Sequence, residues 1–367
     1  AGTANILDHV HFDSANTAIY AERENGLIVT NSSFTNNQYQ GLILKENVLK
    51  SLDSCTFTGN RLYDLYTHAS NIGGMSAQQT QEKGFAIMAS TISKNATWPA
   101  LKYMILETIS AGKYEESKDQ VLTISAGAEL LFKENSYMEV QYEMSLQALG
   151  TAANPIVFKS GEAGKYWGSG SYNDYSGGIW IDDEAGTANI LDHVHFDSAN
   201  TAVYSERENG LIVTNCTFTN NQYQGLILKE NVLKSLDSCT FSANGVYDVY
   251  THATNIGNMT ASQEQDKGIA IFSSTIAYTT TWPALDFIVL DEINIGSFDS
   301  PANQVFTIEA GAEFLFMEGA YLELDNSMSL QVQGTAENRV VFATAETGKN
   351  WGYGSSATYS GGIWIND

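Results

Sequence analysis

The chain repeats itself at a fixed offset, and this limits the folds open to it more than any other feature. AGTANILDHVHFDSANTA at Ala1 returns at Ala185, and the offset of 184 residues then holds without a gap to Asp183 and Asp367. Residues 1–57 differ from 185–241 at four positions only: Ile19/Val203, Ala21/Ser205, Ser32/Cys216 and Ser33/Thr217. The stretches 98–183 and 282–367 have diverged much further. Self-similarity at a fixed period is the mark of repeat arrays, in which each element packs on its neighbours. The strongest break falls at Trp98-Pro99-Ala100-Leu101 and again at Trp282-Pro283-Ala284-Leu285, each after a Gln/Ser/Asn-rich stretch. The expected organisation is therefore a C-terminal half-unit over 1–97, a complete unit over 98–281 and the N-terminal half of the next unit over 282–367. The sequence opens in mid-pattern without a leader, so it is read as a piece of a longer array.

With 42 acidic against 18 basic residues the net charge is −24, which repels phosphate backbones and anionic membrane surfaces and speaks against nucleic acid as a partner. No apolar run approaches the roughly 18 residues of a membrane span, so no membrane insertion is expected in this segment. Four Pro, 31 Gly and many Asn, Ser and Thr describe a turn-rich all-β chain. The three cysteines, Cys55, Cys216 and Cys239, make no disulfide framework, because position 216 is Ser32 in the other copy. They read as small buried hydrophobes.

A shorter period runs inside the long one. Phe196, Phe218 and Phe241 each end a strand-like segment behind a turn residue, at steps of 22 and 23 residues. The same phase is extended backwards through Phe158 and Phe132 and forwards to Ile276, giving about six coils per unit. A second column follows each turn: Gly-Gly-Ile-Trp-Ile from Gly177, Ala-Val-Tyr-Ser from Ala202, Gly-Leu-Ile-Leu from Gly225 and Asp-Val-Tyr-Thr from Asp248. Short strands with no helical period, recurring at this length, predict a right-handed parallel β-helix, a solenoid whose coils stack at about 4.8 Å. Like residues then lie on like, with the Phe side chains stacked inside and Asn215 in a left-handed bend.

The segments Trp98 to Leu101, Leu122 to Phe132 (LTISAGAELLF), Gly150 to Phe158 (GTAANPIVF), Tyr166-Trp167-Gly168 and Gly177 to Ile181 (GGIWI) resemble bacterial cell-surface proteins with right-handed parallel β-helix repeats, adhesin-like and distantly similar to pectate lyases. The resemblance covers essentially the whole chain. It implies a secreted, extracellular protein of the bacterial surface, adhesive and only sometimes carbohydrate-active, and its motifs are specific for architecture more than for activity. Arg339, where the first copy has Pro155, departs from one turn signal.

Alternation along the second column places Ile179, Ile181, Val203, Leu226 and Leu228 inward, and Trp180, Tyr204, Ile227 and Tyr250 outward as an apolar ladder, with Tyr20, Ile43 and Tyr66 matching it in the first half-unit. Such a ladder offers stacking to sugar rings or to a sister filament, unless a loop such as 161–176 lies over it. That Gly/Ser/aromatic loop carries Trp167, Tyr172 and Tyr175, and its counterpart carries Trp351, Tyr353 and Tyr359. The tryptophans read more readily as structural plugs than as ligand sites.

Asp192-His193-Val194-His195 and its counterpart from Asp8 set two imidazoles on one side of a strand but lack a further ligand, so a polar turn residue is the simpler account. Calcium would relieve repulsion among Asp182, Asp183, Glu184, Glu206, Glu208 and Glu230, but no calcium-loop motif is present and solvated turns are the plainer reading. No cofactor is therefore assigned. A pectate-lyase-like enzyme needs acids and bases gathered on the outer strand face, and only Asp182, Arg207 and Lys229 lie near it. The expected function is a non-catalytic structural or adhesive module, whose partners are other copies of the fibre, neighbouring repeat units and cell-surface glycans. The alternatives are a carbohydrate-binding module and a polysaccharide lyase or hydrolase.

Overall fold

The structure, a computed structural model, describes residues 4–170, 177–297, 300–325, 328–354 and 361–365. The chain forms two compact units, Ala1–Val203 and Tyr204–Asp367, and each is a parallel β-solenoid. Its strands are three to five residues long, and each pairs in parallel with its counterpart one coil further along. The helical elements among the described residues are two six-residue 3₁₀ helices, Ala69–Gly74 and Ala253–Asn258.

Left-handed bends make such short strands possible. Between the strands Leu27–Thr30 and Ser33–Thr35 the chain turns at Asn31, φ 48°, with His9 (φ 56°) and Ser54 (φ 52°) at the same corner of the adjoining coils. His193, Asn215 and Ser238 repeat the device at φ 50°, 54° and 53°. Asn is among the few side chains that tolerate this region, because its short amide bonds locally. The polar turn expected of His9 and His193 is thus what the backbone adopts. Backbone N–H groups then reach straight to the next coil, as Asn31 N does to Asp53 O at 3.1 Å.

Parallel stacking in register places Phe12, Phe34 and Phe57 face to face, with centroids 5.0 and 5.1 Å apart and planes within 9°. Phe158 stacks on Phe196 at 5.2 Å in the first unit, and Phe218 on Phe241 at 4.9 Å in the second. These distances match the strand spacing of a sheet, so ring stacking and backbone pairing reinforce each other. Cys55, Cys216 and Cys239 are buried free thiols, as expected of small core residues.

The Phe phase departs from expectation at both ends. Backwards, the strand partner of Phe158 is Leu130, and Phe132 lies opposite Ser160 two residues further on, although its ring still stacks on Phe158 at 6.0 Å. Forwards, Ile276 does not continue the column of Phe241. It belongs to the strand Ser274–Ile276, which pairs with Ile293–Ile295, while the strand of Phe241 is followed only by an isolated bridge from Thr240 to Glu264.

The reason is a handover of columns. In the first unit the strands Ile19–Ala21, Gln40–Leu44 and Tyr63–Thr67 pair in turn and then continue into Phe85–Ile87, Lys102–Ile105, Glu129–Phe132, Ile156–Ser160 and Val194–Asp197. The column that carries Tyr20, Ile43 and Tyr66 therefore becomes the column that carries Phe158 and Phe196. The second unit does the same, from Leu226–Leu228 and Val249–Thr251 through Ile269–Ile271 and Asp286–Val289 to Glu313–Phe316 and Val341–Thr344.

Buried polar side chains hold the segment where this happens. Asn37 Nδ2 donates to Asn60 Oδ1 at 2.7 Å, and Asn60 Nδ2 to the Phe34 carbonyl at 3.1 Å. Asp64, fully buried, accepts the N–H groups of Glu82, Lys83 and Gly84 on Oδ2 at 2.8, 2.8 and 3.0 Å. Asn221, Asn244 and Asp248 build the same arrangement in the second unit. Gln79 closes the Phe column, accepting from Cys55 N and donating to Leu52 O at 3.0 and 2.9 Å. Satisfied in this way, polar groups cost the core little; stripped of a partner, each would cost about 1–3 kcal/mol. The 3₁₀ helix is capped by His68, whose Nδ1 accepts from Ser70 N at 3.2 Å, and by His252, which accepts from Thr254 N at 3.3 Å.

Two measurements test this account. Phe34→Ala removes the middle ring of a stack and should cost about 3–5 kcal/mol in urea unfolding, as truncation of a core Phe does. Burial lowers the pKa of His68 and His252 below the ordinary value of 6.5, with Glu46 and Glu230 acting in the opposite sense. A lowered histidine pKa means the fold favours the neutral ring. The contribution of these caps is thus complete above 6.5 and declines as pH falls through the folded-state value. The urea midpoint should fall on acidification below pH 6.5 more in the parent than in a His68→Gln, His252→Gln variant, and equal falls would contradict the assignment.

Candidate contact surface

The expected outward ladder is only partly a surface. In the strand Ile179–Ile181, Ile179 and Ile181 are buried and Trp180 is half-buried, as alternation requires. Tyr204 and Ile227, however, are 1% and 4% exposed. Outward from a sheet is therefore not outward to solvent here. Tyr250, opposite Ile227 in strand register, packs with Tyr247 at 6.4 Å and Phe272 at 5.0 Å. Tyr20 and Tyr204 each donate their hydroxyl to a nearby carboxylate, Glu22 and Glu206.

Trp167 is no contact residue. It is fully buried, its ring 4.2 Å from Phe132 and 6.3 Å from Phe158, and its Nε1 donates to the Asp197 carbonyl at 2.9 Å. A Cβ on Gly178 would lie 2.3 Å from that ring, which explains the glycine at 178. Trp351 plugs the second unit in the same way, 4.3 Å from Phe316, although half-buried, and Gly362 leaves it room. Tyr353 is 59% exposed and packs against Tyr321 at 5.7 Å. Tyr172, Tyr175 and Tyr359 lie outside the described residues.

Asp182 and His193 make local hydrogen bonds at turns. Asp182 Oδ1 accepts from Glu184 N at 2.9 Å, and His193 Nδ1 lies 2.9 Å from Asp192 Oδ1. Asp8 is fixed by Thr30 and Asn31, whose hydrogen bonds lower its pKa to about 2. Among the described residues no three His, Cys, Asp or Glu side chains converge as a metal site would need, and no helix is long and apolar enough to cross a membrane. Asp182 lies in the first unit, and Arg207 and Lys229 in the second.

A feature that sequence reasoning missed is a polar groove beside each 3₁₀ helix. In the first unit it encloses about 940 Å³ and is lined by Asn47, Ser70, Gly73, Lys94, Asn95 and Thr97. In the second it encloses about 450 Å³, and the matching residues are Asn231, Thr254, Gly257, Tyr278, Thr279 and Thr281. Tyr278 is 68% exposed. The available signal was the contrast between Ser-Lys-Asn at 93–95 and Ala-Tyr-Thr at 277–279 within matching segments. Salt bridging of Lys113 to Glu116 at 2.6 Å along the first groove lowers the carboxyl pKa and raises that of the amine.

No family model, curated protein or solved structure matches this chain.

Proposed function

We propose that the chain is a structural and adhesive module of a long secreted bacterial surface protein, exposed outside the cell and without catalytic activity. The observation that carries the reading is the copying itself: a parallel solenoid in which near-identical segments reproduce the same Phe stack, Asn ladder and helix cap. An enzyme gains little from a duplicated scaffold, whereas a module that supplies length and many equivalent contacts gains in proportion to copy number. The net charge of −24 keeps such a surface soluble and apart from anionic lipid. Gold-labelled antibody raised against the chain should mark cell-attached projections in electron micrographs of the producing bacterium. Label confined to the culture supernatant would overturn the surface role.

A carbohydrate-binding reading is favoured by one observation, the exposed Tyr278 ring bordered by Thr279, Thr281 and Asn231 in a polar groove. An aromatic face beside hydroxyl and amide groups suits a sugar ring. Tyr278→Ala should abolish any glycan-array signal of the parent chain; a signal unchanged by the substitution would place glycan contact elsewhere.

A further inference from the structure

The outer face of the first unit carries a half-buried carboxylate in a row of uncharged neighbours. The strands Ile109–Ala111, Met138–Val140 and Ile179–Ile181 stack in parallel, and in each the middle residue is half-buried between two buried ones. Register sets Ser110 opposite Glu139 and Glu139 opposite Trp180. Their side chains thus leave one face of the sheet at the coil spacing of about 4.8 Å. Other carboxylates of this unit are engaged: Asp64 by three amides, Glu116 by Lys113 and Glu129 by Lys159. Among the described residues no hydrogen bond or ion pair reaches the Glu139 carboxylate, and burial alone moves its pKa, upward from the ordinary value.

The same pair stands in the second unit, where Glu323 is opposite Trp364. It lies in the stretch where the two copies have diverged most, and there even the buried neighbours differ, Met138 and Val140 against Leu322 and Leu324. Ser110 has likewise become Asn294, which keeps a polar group opposite the carboxylate. A merely solvated face tolerates exchange at little cost. A carboxylate that persists beside a Trp while core residues vary points to a contact made by that face.

Burying a charge without a partner is unfavourable, and a cation that arrives beside it offsets that cost. An indole face attracts the same cation once it comes within about 6 Å of the ring centroid. A metal ion does not suit the pair, because it takes several oxygen ligands and no three His, Cys, Asp or Glu side chains converge among the described residues. An organic ammonium ion does suit it, with N–H groups for the carboxylate and the Ser110 hydroxyl and methylene groups for the indole. The net charge of −24 draws such cations toward the chain. We infer that the outer face at Glu139 and Trp180 is a binding site for an alkylammonium group, its charge held by the Glu139 carboxylate and its methylenes lying on the Trp180 ring. The site does not depend on the surface role proposed above.

Propylammonium chloride, titrated into the full chain labelled with fluorotryptophan, should shift the fluorine resonance of Trp180, which Trp180→Phe identifies. The resonances of the fully buried Trp98, Trp167 and Trp282 should stay in place. Propanol, of nearly the same shape without the charge, and sodium chloride at equal ionic strength should leave Trp180 unmoved. Glu139→Gln keeps the shape of the side chain and removes its charge, so the Trp180 response should vanish. Ser110→Lys sets a tethered ammonium opposite Glu139 and should also abolish the response, which keeps the question decidable if Glu139→Gln disturbs the buried resonances. A Trp180 resonance that does not move, an equal shift with propanol or sodium chloride, or a response that survives both substitutions overturns the inference.

Discussion

Each unit depends on one constraint: parallel pairing at a spacing that falls within the centroid separation of offset-stacked aromatic rings. Parallel strands repeat every 4.7–4.9 Å, roughly the separation at which Phe faces pack, so a coil in register brings hydrogen bonds and ring contacts into place together. The Phe12, Phe34 and Phe57 series, at 5.0 and 5.1 Å, shows the match. A slip of one residue would turn every inward ring outward, which gives the register its strength.

The same constraint explains why polar residues are buried at the column handover. A strand column cannot end inside a core without leaving amides and carbonyls unpaired. Asn60, Asp64 and Gln79 take up those groups in the first unit, and Asn244, Asp248 and Gln263 do so in the second. The segment between the columns is thereby a built element of the fold, with its own helix, caps and ladder. It also creates the polar groove, because the chain there leaves the regular coil outline.

Much of this was legible in the sequence. The period, the parallel stacking, the inward Phe residues and the left-handed bends at His193, Asn215 and Ser238 all follow from short-range pattern, since each depends on a residue and its counterpart one coil away. The plug role of Trp167 was legible too, through its persistence at Trp351. The continuation to Ile276 and the exposure of Tyr204 and Ile227 were not. Extending a phase across an insertion assumes that the chain resumes in the same column. Reading alternation as exposure assumes that nothing lies over the outer face.

The sequence by itself determined which residues stack on which within a run of equal coils, because backbone spacing leaves one register that buries the rings. Only the tertiary structure decided which column follows which across the insertions, and which outward side chains remain in water. Those outcomes turn on groups distant in sequence: Asp64 gathering the amides of residues 82–84, Gln79 closing a column begun at Phe12, and Phe272 packing on Tyr250. No local period encodes such contacts, since they form where the repeating pattern is interrupted.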